Sequence, residues 1–89
     1  MPCWEMIVKG RVQGVGFRWF VSDCANRLQI NGYVKNLTDG SVLIIANGTT
    51  EALELFAYNI EQGNRSSQVQ QLSKNELTNY TEYKEFFIA

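Results

Sequence analysis

The sequence predicts an α+β fold, a four-stranded antiparallel sheet with two helices on one of its faces. Three observations point there. Apolar residues alternate singly in some stretches and recur at three- and four-residue steps in others, so strands and helices interleave. Glycine-containing turns fall between those stretches. The length of 89 residues, with 45% hydrophobic and 19% charged side chains, suits one globular domain spanning residues 1–89.

Trp4, Met6, Val8 and Val12 share one phase while Glu5, Lys9 and Arg11 share the other, the alternation of a half-buried strand from Trp4 to Val12. Gln13-Gly14-Val15-Gly16 then turns the chain. Phe17, Phe20, Val21, Cys24, Ala25 and Leu28 make one apolar helix face, and Asn31-Gly32 ends that helix. A second strand covers Tyr33 to Leu37 and a third Ser41 to Ala46. A three-residue loop, Thr38-Asp39-Gly40, with Gly40 left-handed, fits a type I turn plus bulge. It sets Val34, Asn36, Val42, Ile44 and Ala46 on one face; a two-residue loop would shift that register by one. The second helix starts around Gly48-Thr49-Thr50-Glu51, with a threonine cap and an acid in its first turn. Leu53, Phe56, Ala57 and Ile60 form its buried stripe, and Gly63 closes it. Ser66 to Leu72 holds a weak strand around Val69, Lys74 to Tyr80 reads as polar loop, and the last strand runs from Tyr83 to Ile88. The order β-α-β-β-α-β with right-handed crossovers is the split βαβ, or ferredoxin-like, arrangement. That fold hosts many activities and selects none of them.

Composition narrows the chemistry. The chain has no histidine, which removes Ser-His-Asp triads, Cys-His pairs and His-ligated zinc. Cys3 and Cys24 are too few for a four-cysteine metal site. Cys24 lies on the apolar helix face as an inert thiol, and Cys3 is expected to be free. No apolar run approaches the roughly 20 residues of a membrane span, and the N-terminal segment lacks the pattern of a signal peptide. The expected location is the cytoplasm, as a monomer with no membrane partner and with reduced thiols; the four glycosylation sequons then read as chance.

The net charge of −1 conceals a split. Residues 1–35 carry Lys9, Arg11, Arg18, Arg27 and Lys35 against Glu5 and Asp23, a net +3, and the remainder carries a net −4. The basic part favours a small anionic ligand. It is too sparse for the stripe of a nucleic-acid binder, so no nucleic-acid partner is expected.

Two places in the chain could carry chemistry. A glycine-rich loop between strand and helix aims several backbone N–H groups at one spot, and the helix N-terminus adds its own. In Gln13-Gly14-Val15-Gly16-Phe17-Arg18, the Arg18 guanidinium stands where it could close over a bound phosphate. Taken alone, the two glycines also fit a plain tight turn and Arg18 a solvated surface residue. Asn36 shares a phase with Val34, so it faces the helices, where an apolar residue would be cheaper. Taken alone it also fits an amide satisfied at the core edge. Helix travel from Arg18 to Gln29 is roughly 16 Å, and strand travel from Asn31 to Asn36 returns roughly the same distance. Asn36 is thereby expected at the level of Arg18, beside the glycine loop.

The segment Gly10-Arg11-Val12-Gln13-Gly14-Val15-Gly16-Phe17-Arg18 resembles the acylphosphatase signature G-x-V-Q-G-V-x-F-R. Gly32-Tyr33-Val34-Lys35-Asn36, followed by Gly40, Val42 and Gly48, is similar to that family's second signature. The likeness extends over essentially the whole chain. Two departures stand out: Gly63-Asn64 where the family often has Gly-Pro, and Leu72 to Tyr80, which matches nothing specific.

The resemblance implies a hydrolase that splits the carboxyl-phosphate bond of a small-molecule acyl phosphate, with no metal, no cofactor and no covalent phosphoenzyme. It implies that Gln13, Gly14, Val15, Gly16, Phe17 and Arg18 bind the phosphate, that Arg18 and Asn36 are the catalytic pair, and that Asn36 positions the attacking water. A phosphate or sulfate ion would occupy the same place as product or mimic. Two other readings differ in class. One is a binding module that holds a phosphorylated ligand without turnover. The other is a nucleic-acid binder stacking bases on the open sheet face, disfavoured by charge and by a single aromatic, Tyr33, on that face. Trp19 falls off the apolar stripe, at the edge of the site or simply on the surface, and nothing in the pattern points to a pocket selective for one acyl group.

Overall fold

In the computed structural model, which describes residues 1–89, the first alternating run forms strand β1 (Cys3–Arg11). Its Met6 and Val8 are wholly buried. Helix α1 (Phe17–Arg27) buries Phe17, Val21 and Ala25, with Phe20, Cys24 and Leu28 packed partly against the same core. Strands β2 (Asn31–Asn36) and β3 (Val42–Asn47) pair antiparallel, Val34 opposite Ile44 and Asn36 opposite Val42. Between them the Leu37 N–H donates to the Ser41 carbonyl at 2.9 Å and the Gly40 N–H to the Leu37 carbonyl at 3.2 Å, with Gly40 at φ 94°. This is the register that the longer loop predicts. Asp39 pins the turn by accepting from the Ser41 hydroxyl and N–H, and these bonds hold its carboxyl below the usual carboxylate range.

Helix α2 (Thr50–Gln62) buries Leu53, Phe56, Ala57 and Ile60. Those side chains meet Met6, Val8, Val34 and Ile44 of the sheet together with Phe17 and Val21 of α1 in one core cluster. Burial of each large apolar side chain there contributes about 1.5–3 kcal/mol.

The second half of the sheet departs from the sequence reading. Strand β4 (Gln68–Glu76) pairs antiparallel with β1 and takes in Lys74 to Glu76, which read as loop. The last strand is shorter than expected: β5 (Phe86–Ile88) adds parallel to β2, and the sheet is five-stranded and mixed, in the order β4-β1-β3-β2-β5. The four antiparallel strands of the ferredoxin-like arrangement are therefore β1 to β4, and β5 is an added edge. The weak strand read around Val69 is the first half of β4, and its second half is hidden in the sequence because β4 is an edge strand. Only its Val69 and Leu72 lean on the core, and the remainder carries the polar side chains that protect an edge. Its alternation is broken further by a bulge where the register with β1 shifts between Lys9 and Gly10.

The open sheet face also differs from expectation. It holds three packed aromatics, not Tyr33 alone. Tyr83 and Phe87 each lie 5.6 Å from the Tyr33 ring, and 6.0 Å from one another. Phe87 reaches that face because β5 docks beside β2, a parallel pairing that local periodicity does not reveal. Cys3 and Cys24 are both free, and burial pushes both thiols up. No helix is long and apolar enough to cross a membrane.

Candidate active site

The chain leaves β1 through Val12 and enters α1 through two left-handed glycines, Gly14 at φ 72° and Gly16 at φ 74°. A side chain at either position would strain the backbone. Gly16 is the N-cap of α1 and has no side chain to occupy the first N–H groups of the helix, and there is no acid in the first turn. None of the main-chain N–H groups from Gly14 to Trp19 is bonded within the chain; the first to be taken is that of Phe20, donated to the Gly16 carbonyl at 3.1 Å. A run of unpaired donors thus lies at the positive end of a helix.

A cleft of about 210 Å³ opens at this loop. Gly14, Gly16, Arg18 and Asn36 form its polar lining, and Val12, Phe17, Trp19 and Ile88 its apolar lining. The structure therefore brings Arg18 and Asn36 to one cavity, at the same end of the sheet, as the helix and strand lengths require. The Asn36 side-chain oxygen is buried and has no hydrogen-bond partner within the chain, which costs folding free energy. Arg18 takes part in neither ion pair of the molecule. Its guanidinium donates one bond, from Nη1 to the Ala89 main-chain oxygen at 3.0 Å, and Ala89 is itself fixed by its N–H to the Val34 carbonyl at 2.8 Å. The end of the sheet thus orients the arginine and leaves its other donors free.

The remaining loop residues take different positions. The Gln13 side-chain amide donates to the Leu37 and Ser41 carbonyls, both at 2.8 Å. It turns away from the cleft and ties the glycine loop to the hairpin that carries Asn36. The Phe17 ring is in the core, so only its N–H faces the loop. Val15 packs partly against the core, and its carbonyl accepts from the Asn64 amide at 3.0 Å. Asn64 is a positioning residue that sequence reasoning passed over, since Gly63-Asn64 stood out only as a departure from a family pattern. Its N–H is in turn held by the Ser67 hydroxyl at 2.9 Å. Ala89 was missed because its place depends on the parallel docking of β5.

Unpaired N–H donors, a guanidinium and a buried amide on one small cleft are suited to holding a tetrahedral oxyanion. No group of three or more Cys, Asp and Glu side chains lies together in the structure. The acylphosphatase family model matches residues 4–88. The chain is 49% identical to the acylphosphatase of Thermus thermophilus over 70 residues, covering 79% of this chain and 80% of that one. It is 42% identical to the acylphosphatase of Bacillus velezensis over 86 residues, covering 97% and 96%. The crystal structure of acylphosphatase from Bacillus subtilis superposes with a TM-score of 0.96 at 39% identity, over 100% of this chain and 99% of that one. The chain belongs to the acylphosphatase family, and it is an enzyme of that class.

Proposed function

We propose that this cleft hydrolyses acyl phosphates by direct attack of water, with Arg18 and the N–H groups of the Gly14–Arg18 loop holding the phosphoryl group and Asn36 positioning the water. The observation that carries this reading is the meeting, on one cleft, of the unpaired N–H run with Arg18 and the side-chain amide of Asn36.

Phosphoryl transfer asks chiefly for positioning and for charge stabilisation on the equatorial oxygens. The loop donors and the guanidinium supply both. The Asn36 side-chain amide hydrogen-bonds the attacking water and holds its oxygen toward phosphorus. The water oxygen forms a bond to phosphorus as the bond from phosphorus to the acyl oxygen breaks. The carboxylate departs with that electron pair. One proton stays on the attacking oxygen, and the other passes to a non-bridging phosphate oxygen. A doubly charged acyl phosphate and water thus give a carboxylate and dihydrogen phosphate. The leaving carboxylate is a weak base and needs no proton from the protein. No carboxylate side chain lines the cleft and the chain has no histidine, so the substrate's own oxygens take the proton. No metal takes part in this scheme.

The test is phosphate release from benzoyl or acetyl phosphate, with and without EDTA. Rapid hydrolysis that resists the chelator and collapses in Arg18→Ala and Asn36→Ala supports the scheme. Saturable phosphate binding without turnover would make the cleft a holder and not a catalyst. A pH–rate profile with an inflection near pH 6–7 from a protein base would overturn the proton route.

A further inference from the structure

Two side chains at the cleft have no part in the chemistry above. Trp19 follows Arg18 on α1 and is 68% exposed, and Ile88 of β5 is 44% exposed. The other apolar lining residues, Val12 and Phe17, are almost inaccessible at 1% each. The apolar wall that a ligand can touch is therefore Trp19 and Ile88. Neither belongs to the core cluster or packs partly against it. An indole left in water contributes little to folding, because its large apolar area stays hydrated. These two residues come from opposite ends of the chain, yet they stand over the same polar floor.

We propose that Trp19 and Ile88 form the acyl-group subsite and favour aromatic over small aliphatic acyl phosphates. This inference rests on the reading of the cleft as the place of acyl phosphate hydrolysis. With the phosphoryl group on the Gly14–Arg18 donors and the water at Asn36, in-line displacement sends the acyl oxygen away from Asn36. The acyl substituent begins only a few bonds beyond phosphorus and so emerges at the rim, beside the residue that follows Arg18. A planar aromatic ring fits there, one face against the indole and one edge against Ile88. An acetyl methyl group is too short to cover either. The cleft, at about 210 Å³, is smaller than the roughly 300–1,000 Å³ of enclosing ligand pockets, so the ring is held against a wall and not engulfed. Offset stacking and the area it buries correspond to a preference of about tenfold.

The experiment compares kcat/KM for benzoyl phosphate with kcat/KM for acetyl phosphate in the wild type, Trp19→Ala, Trp19→Phe and Ile88→Ala. The benzoyl-to-acetyl ratio is expected to fall about tenfold in Trp19→Ala and about threefold in Ile88→Ala, and to survive in Trp19→Phe. A ratio that stays within about twofold of the wild type in both alanine variants overturns the subsite, even if overall activity drops. Using the ratio removes any shared effect on folding and the different intrinsic reactivity of the two substrates. A wild type that hydrolyses neither substrate overturns the site reading itself, and the subsite with it.

Discussion

The two helices begin in opposite ways. At α2, Thr49 is extended and its hydroxyl accepts from the Ala52 N–H at 3.1 Å, with Glu51 in the first turn to meet the positive end of the helix. At α1 the cap is a left-handed glycine with no side chain, the first turn has no acid, and the N–H groups from Gly14 to Trp19 have no partner. Both helices pack on the same sheet and bury similar apolar stripes. Helix α2 is finished by its own sequence, and α1 is left open toward a cleft that also holds Arg18 and Asn36. The stability given up at that helix end is small, about a few tenths of a kcal/mol for glycine in place of a capping side chain, and it leaves the end available to an anion.

The contrast can be broken from either side. The largest expected effect is that of Arg18→Ala, which removes the one charged donor. Transition-state stabilisation should fall by about 3 kcal/mol or more, a loss of over a hundredfold in kcat/KM, while the melting temperature stays close to that of the wild type. Asn36→Ala should lower kcat up to about a hundredfold through a misplaced water, and KM should move much less. Gly16→Ala forces a side chain into the left-handed cap and should cost about 1–2 kcal/mol of stability, measured by urea denaturation, with phosphate binding weakened alongside. Asn64→Ala frees the Val15 carbonyl and should cost about 1 kcal/mol, with kcat/KM reduced several-fold. The smallest effect on activity belongs to Thr49→Ala. It should cost about 1 kcal/mol of stability, yet change kcat/KM by less than about twofold.

Much of this was legible in the chain itself. The apolar stripes, the hairpin register and the meeting of Arg18 with Asn36 all follow from local periodicity and element lengths. The parts that were not legible are those that depend on long-range pairing. The polar run from Ser73 to Glu76 continues β4 because β1 offers it a partner, and Phe86–Ile88 is a parallel edge because β2 does. With β5 in place, Ala89 reaches Arg18, Ile88 reaches the cleft and Phe87 joins Tyr33. Asn64 was invisible for a related reason. Its amide meets Val15 from 49 residues away, and no spacing rule encodes such a contact.

The central claim is that the open end of α1 is the anion site and the capped end of α2 is not. It is tested most directly by titrating the protein with inorganic phosphate and following backbone amide resonances. Saturable shifts should concentrate on Gly14 to Trp19, with Asn36 responding and the amides of Thr50 to Leu53 unmoved, and Arg18→Ala should weaken the binding. Shifts centred elsewhere, or a response no stronger at α1 than at α2, would contradict it.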